Sequence, residues 1–221
     1  MIIKYSSIGW KWRTLTLVAA AVAILAMPGQ GLAGPATDQV KGTVDQVLEI
    51  LTDPTLKDDR RTKERRAKLR QTVLERFDFS EMSKRSMGQH WKERSPEERT
   101  EFVGLFTDLL ERAYIDRVEG YTGEQIVYLE ERTDGNYSEV RTKIVTKRNQ
   151  EIPIAYRLQR ADSKWSVYDI VVEGVSLVNN YRTQFSKIIR TSSYRDLVKK
   201  MQAKVEGEEA AELSTPKPKV R

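Results

Sequence analysis

The sequence predicts an α+β fold, an antiparallel β-meander of about four strands covered by helices, and three observations carry that expectation. Apolar residues recur at helical spacing in the first half of the chain and at a spacing of two in the second. The strand-like stretches are joined by Asp134-Gly135-Asn136, Arg148-Asn149-Gln150 and Asp162-Ser163, turns too short for parallel crossovers. The run from Lys164 to Phe185 begins as a β-branched and aromatic strand and breaks at Glu173-Gly174. It then continues at helical spacing through Val175, Val178, Tyr181 and Phe185. Such a run lays a helix against a sheet, with apolar volume between the two layers.

Residues 1–33 read as a cleavable secretory signal. Lys4, Lys11 and Arg13 form a basic n-region, Thr14 to Met27 an apolar stretch, and Gly31-Leu32-Ala33 a small-residue cleavage site. An uncleaved anchor is the alternative, but the apolar stretch is short for a span of ~20 residues. The 221-residue chain has no cysteine, so disulfides, lipoprotein acylation, thiol catalysis and thiolate metal sites are excluded. The first 33 residues hold three of the 38 basic residues and no acidic one, so the remainder carries 35 basic against 32 acidic residues. Both signs are mixed, which fits an anionic lipid or an acidic partner better than nucleic acid.

Residues 37–51 carry a helical stripe of Val40, Val44, Val47, Leu48 and Leu51, ended by Thr52-Asp53-Pro54. From 58 to 76 the chain is helical and highly charged, with seven basic and three acidic residues within 58–70. That segment is either a solvated face or a docking surface. A short helix with Phe77, Phe79, Met82 and Met87 follows and closes at Gly88. Ser95-Pro96-Glu97-Glu98 is a capping box, and the helix it opens presents Phe102, Leu105, Phe106, Leu109, Leu110, Ala113 and Tyr114 before Gly120. Strands are expected at about 124–132, 137–147, 151–160 and 164–172, with Val140, Thr142, Ile144 and Thr146 sharing one face of the second and Ile152, Ile154, Tyr156 and Leu158 one face of the third. After Phe185 the helix continues or restarts through Tyr194, Leu197, Val198 and Met201. The domain is therefore expected to span 34–205, with 206–221 as a disordered tail of Gly, Glu, Ala, Pro and Lys.

Few residues in the chain suggest catalysis. The single histidine, His90, lies beside Trp91, and no metalloprotease, phosphate-loop or nucleophile-elbow motif is present. Asp169, within an apolar strand, either pairs with an arginine or serves as a general base in a cavity. Three classes stay open on the residues alone: a binding module, an enzyme of isomerase or hydrolase type, and a ligand-free adaptor with a solid core.

WSVYDIVVEGVSLVNNYRTQF (165–185), IPIAYRL (152–158), FDFSEMSKRSMGQHW (77–91) and SPEER (95–99) together resemble the MlaC family of periplasmic phospholipid-binding, or toluene-tolerance auxiliary, proteins. The resemblance covers roughly residues 38–201. It implies an NTF2-like cone with a deep cavity for acyl chains, no enzyme activity, no cofactor and no metal. It further implies a periplasmic shuttle, exchanging phospholipid with an inner-membrane ABC transporter and an outer-membrane lipoprotein complex to maintain outer-membrane lipid asymmetry. The lipid-binding residues it suggests are Phe79 and Met82 on the short helix, and Phe102, Phe106, Leu109, Leu110 and Tyr114 on the long one. Ile144, Ile154, Tyr156, Trp165 and Val167 join them from the sheet, and Val175, Val178 and Tyr181 from the last run. The tail lies outside the resemblance. Ending the chain at Glu206 is expected to leave stability within about 1 kcal/mol by chemical denaturation, and a loss of several kcal/mol would show that the tail packs.

Overall fold

The computed structural model describes residues 34–207; the expected signal segment and the tail from 208 onward lie outside them. Four helices precede the sheet. Helix α1 (Pro35–Thr52) starts with proline at its first position. Helix α2 (Thr62–Arg76) follows two short 3-10 turns, capped by the side chains of Asp53 and Asp58. Helix α3 (Phe79–Met87) is capped by Asp78, whose carboxylate accepts from the Glu81 N–H. Helix α4 (Pro96–Glu119) opens on the expected capping box, with Ser95 and Glu98 each satisfying the other's backbone N–H.

Strands β1 (Gln125–Asp134), β2 (Tyr137–Val145), β3 (Glu151–Ala161) and β4 (Lys164–Val172) form the expected antiparallel meander. A two-residue strand β5 (Val175–Ser176) adds a fifth member at the edge. Helix α5 (Leu177–Thr191) therefore starts two residues later than the sequence pattern suggests. Glu173 and Gly174, at φ of 50° and 81°, make the tight β4–β5 turn, whose geometry needs two left-handed residues. Helix α6 (Tyr194–Glu206) ends at Gly207, which takes the left-handed conformation that closes many helices.

Two bulges decide what each sheet face carries. Tyr156 opposes Ile170 and Leu158 opposes Val167, so Tyr168 is an inserted residue. The apolar run of β4 therefore changes parity at Tyr168, and Trp165, Val167, Ile170 and Val172 all share one face. In β1, Leu129 is inserted in the same way, placing Ile126 and Tyr128 on the face that carries Val140 and Thr142 of β2. The opposite face is polar. Across it a chain of ion pairs runs from Glu130 to Arg141 (3.4 Å), Glu139 (2.7 Å), Arg157 (3.3 Å) and Asp169 (3.2 Å).

The interior forms two apolar clusters. The larger joins α3, α4, α5 and α6 through Met82, Met87, Phe102, Phe106, Leu109, Leu110, Val178, Tyr181, Phe185, Leu197 and Met201. Edge-to-face contacts bring Phe102 and Phe106 each to 5.6 Å from Phe185, and Phe106 to 5.3 Å from Tyr181. The smaller cluster lies between α1 and the apolar sheet face and holds Ala36, Val40, Val140, Leu158, Trp165 and Val167. Phe77 packs against both clusters, and the Asp78 N–H donates to the Val167 carbonyl at 2.9 Å.

Asp169 joins the sheet to α5. Its carboxylate, 3% exposed, accepts from the Ser176 hydroxyl (2.7 Å), the Val178 N–H (3.0 Å) and Arg157 (3.2 Å). Of the two readings of this carboxylate, the structure supports the ion pair. All three contacts are donors to a carboxylate at a helix N-terminus, where the peptide dipoles favour negative charge. Asp169→Ala should cost ~3 kcal/mol, since it leaves the buried Val178 N–H and the Ser176 hydroxyl without their acceptor and removes a charge partner of Arg157. A loss under about 1 kcal/mol in urea unfolding would show that this contact does not hold the junction.

Candidate functional site

The apolar sheet face is only partly covered. The N-terminal half of α1 is held tightly to it, and Ala36, Thr37 and Val40 are buried. Gln39 holds this half in place. Its carbonyl accepts from the Trp165 N–H (3.0 Å) and from Arg76 (2.5 Å), and its amide donates to the Ser163 carbonyl (3.1 Å). The Glu131 carboxylate accepts from the Thr37 N–H at 2.7 Å. A side chain at Gly34 would meet that carboxylate and force Glu131 to swing aside. The C-terminal half of α1 packs less closely. Val44, Val47, Leu48 and Leu51 are half-buried.

The same gradient runs along the sheet. Ser138, Val140, Thr142, Leu158, Trp165 and Val167 are buried. Toward the other end of the same face, Ile126, Tyr128, Ile144, Ile154, Tyr156, Ile170 and Val172 are half-buried. Val44, Tyr128, Tyr156 and Ile170 pack against the smaller cluster, so the half-buried strip continues the α1–sheet core. The candidate site is this strip. It is apolar, it borders a folded interior, and neither α1 nor the sheet closes it.

Two tyrosines mark its polar features. Burial pushes the Tyr156 hydroxyl up to about 12. It pushes Tyr128 up further, helped by the negative charge of Asp45 and by Tyr156. The Tyr128 hydroxyl oxygen is buried with no hydrogen-bond partner among the described residues, although the residue as a whole is half-exposed.

The residues suggested from sequence divide between regions. Met82, Phe102, Phe106, Leu109, Leu110, Val178 and Tyr181 belong to the helical cluster, with Phe79 and Tyr114 packed against it. Trp165 and Val167 are in the smaller cluster, and Ile144, Ile154 and Tyr156 lie on the strip. Val175 is 39% exposed on the edge strand. Sequence reasoning missed Ile126, Tyr128, Ile170 and Val172 as members of this face. Their parity depends on the two bulges, which leave no local signal. It did find the α1 stripe, without assigning it to the site.

The charged segment 58–76 is largely paired. Arg65 and Arg66 hold Glu119 at 2.7 and 2.6 Å, Arg66 also reaches Asp116, and Arg70 bridges Asp108 and Glu111 of α4. A charged cleft of about 440 Å³ opens beside these pairs, lined by Arg66, Asp108, Glu111, Arg112, Ile115, Asp116 and Val205. Among the described residues no acidic or histidine cluster is arranged to hold a metal, and no helix is long and apolar enough to cross a membrane.

Burial alone would raise the Glu119 carboxyl, but hydrogen bonds from Arg66 and Arg65 outweigh it and hold it below its ordinary value near 4.5. Glu131 is lowered in the same way by Thr37, again against burial. A carboxylate lowered by folding contributes its full stability above its unfolded pKa and loses it as pH falls toward its folded one. Melting temperature should therefore hold between about pH 7 and 5 and fall below about pH 4.5. Glu119→Gln should melt earlier at neutral pH, with the gap closing in acid. An unchanged gap at about pH 3 would show that Glu119 is not held in its charged form.

A family model described as MlaC protein matches residues 41–203. The intermembrane phospholipid transport system binding protein MlaC of Haemophilus influenzae is 28% identical over 122 residues, 52% of this chain and 56% of that protein. The chain thus matches only a little over half the length of that relative. The phospholipid-binding protein from Ralstonia solanacearum, solved in complex with a phospholipid, aligns with a TM-score of 0.68 at 25% identity. That alignment covers 77% of this chain and 97% of the other.

Proposed function

Since the chain belongs to the MlaC family, we propose that it binds phospholipid by its acyl chains and carries it between membranes, with no turnover. The observation that carries this reading is the half-buried apolar strip between the loose end of α1 and the sheet. A methylene hidden from water is worth ~0.8 kcal/mol, so a chain of about 16 carbons represents on the order of 12 kcal/mol. A carrier must cover nearly that whole length to compete with a bilayer. The strip supplies apolar surface that remains available without unpacking the helical core. The two relatives support the ligand, since one is named for intermembrane phospholipid transport and the other was solved with a phospholipid.

The periplasm, reached by a cleavable signal, is the compartment this reading requires. Its exchange partners are an inner-membrane ABC transporter complex and an outer-membrane lipoprotein complex, and the process served is outer-membrane lipid asymmetry. On this reading the acyl chains lie on Ile144, Ile154 and Tyr156 together with Ile126, Ile170, Val172 and the Val44–Leu51 stripe. The helical cluster frames them.

Protein purified without added lipid should release intact diacyl phospholipid on solvent extraction, detected by mass spectrometry. Ile154→Trp and Ile170→Trp should empty the site with little change in melting temperature. Leu109→Trp, within the helical core, should instead cost ~1–3 kcal/mol by overpacking. Wild-type protein that yields no lipid would remove the carrier reading. Lipid retained by both strip variants would place the chains elsewhere.

A further inference from the structure

Tyrosine side chains at a protein boundary usually bury the ring and keep the hydroxyl in water. Tyr128 departs from this: the residue is half-buried, and its oxygen is fully buried and meets no donor or acceptor among the described residues. A buried hydroxyl without a partner loses its hydration for no return. Its position opposite Thr142 places it on the apolar sheet face, within the strip. The strip around it is apolar, with Val44, Tyr156 and Ile170 packed on the same cluster. A charged acceptor would lose its hydration there, whereas a neutral acceptor carried on apolar chains would lose little.

We propose that Tyr128 is a specificity-determining residue whose hydroxyl donates a hydrogen bond to an acyl-ester carbonyl of the bound lipid. The inference rests on the carrier reading and adds to it a preference for ester-linked over ether-linked chains. Burial keeps the phenol protonated, and so a donor, throughout the physiological range. The ester lies where the chains leave the glycerol, so this contact would also fix how deep the lipid sits.

The test compares lipid-stripped wild type with Tyr128→Phe, using a diacyl phosphatidylglycerol and its dialkyl-ether analogue of equal chain length. Wild type should bind the ester about fivefold more tightly, the size of one neutral hydrogen bond. Tyr128→Phe should bind both lipids with the affinity wild type shows for the ether. Lipid-free Tyr128→Phe should melt at or above wild type, because no protein partner is lost. Equal affinities in wild type, an ester preference that survives in Tyr128→Phe, or a lower melting temperature for the empty variant would each overturn the proposal. So would an ester preference that vanishes between diacylglycerol and its dialkyl analogue, since the contact would then belong to the head group. Failure of wild type to bind either lipid would instead remove the carrier reading beneath it.

Discussion

The carboxylate of Asp169 sits where strand β4 passes the chain to helix α5, and it accepts from Arg157, Ser176 and the Val178 N–H while almost fully buried. A charge in that position is tolerated only when every lone pair facing the interior is used. The requirement fixes three things together. It sets the register of β4 against β3 through Arg157, closes the β5 turn through Ser176, and points α5 along the sheet edge. Val178, Tyr181 and Phe185 then meet Phe102 and Phe106, and the helical cluster forms around them. The rest of the polar sheet face extends this constraint, because Arg157 also holds Glu139, and Arg141 links Glu139 to Glu130. With its polar face locked by ion pairs, the sheet can leave part of its apolar face open and still keep its shape.

The two helices on that side contribute differently. Helix α2 is bound to α4 by Arg65, Arg66 and Arg70, so its charge density serves a tertiary contact. Helix α1 is tied to the sheet at one end, by Gln39 to Trp165 and by Glu131 to Thr37, while its other half packs on α2, where Arg76 donates to Thr43 (3.0 Å), and leaves the sheet face half-buried. That asymmetry coincides with the change from buried to half-buried residues along the sheet.

Much of this fold was legible in the sequence because its signals are local. The Ser95–Glu98 capping box, the stop at Gly120 and the turns at Gly135 and Asp162 each depend on a few neighbouring residues, and each appears where the pattern placed it. What was not legible is tertiary. The 58–76 segment read as a solvated face or a docking surface because Glu119, the partner of Arg65 and Arg66, lies 53 or 54 positions away. Which residues of the β4 run share a face was also not legible, because the inserted Tyr168 shifts their parity. Phe102, Phe106 and Leu109 are well-packed core, while the clear stripe of α1 ends in residues that stay half-buried; periodicity marks the inward face of a helix and does not report how closely that face is covered.

That distinction bears on how a carrier can work. Binding to a closed core would first require separating Phe102, Phe106, Tyr181 and Phe185, and losing their contacts would offset much of the energy of the incoming chains. Binding to a strip that is already half-exposed removes water from both surfaces and breaks no internal packing. Release stays possible for the same reason, because chains can leave the strip without any unpacking of the core. A strip that is filled and emptied without unpacking satisfies both requirements on the same few residues of α1 and the sheet.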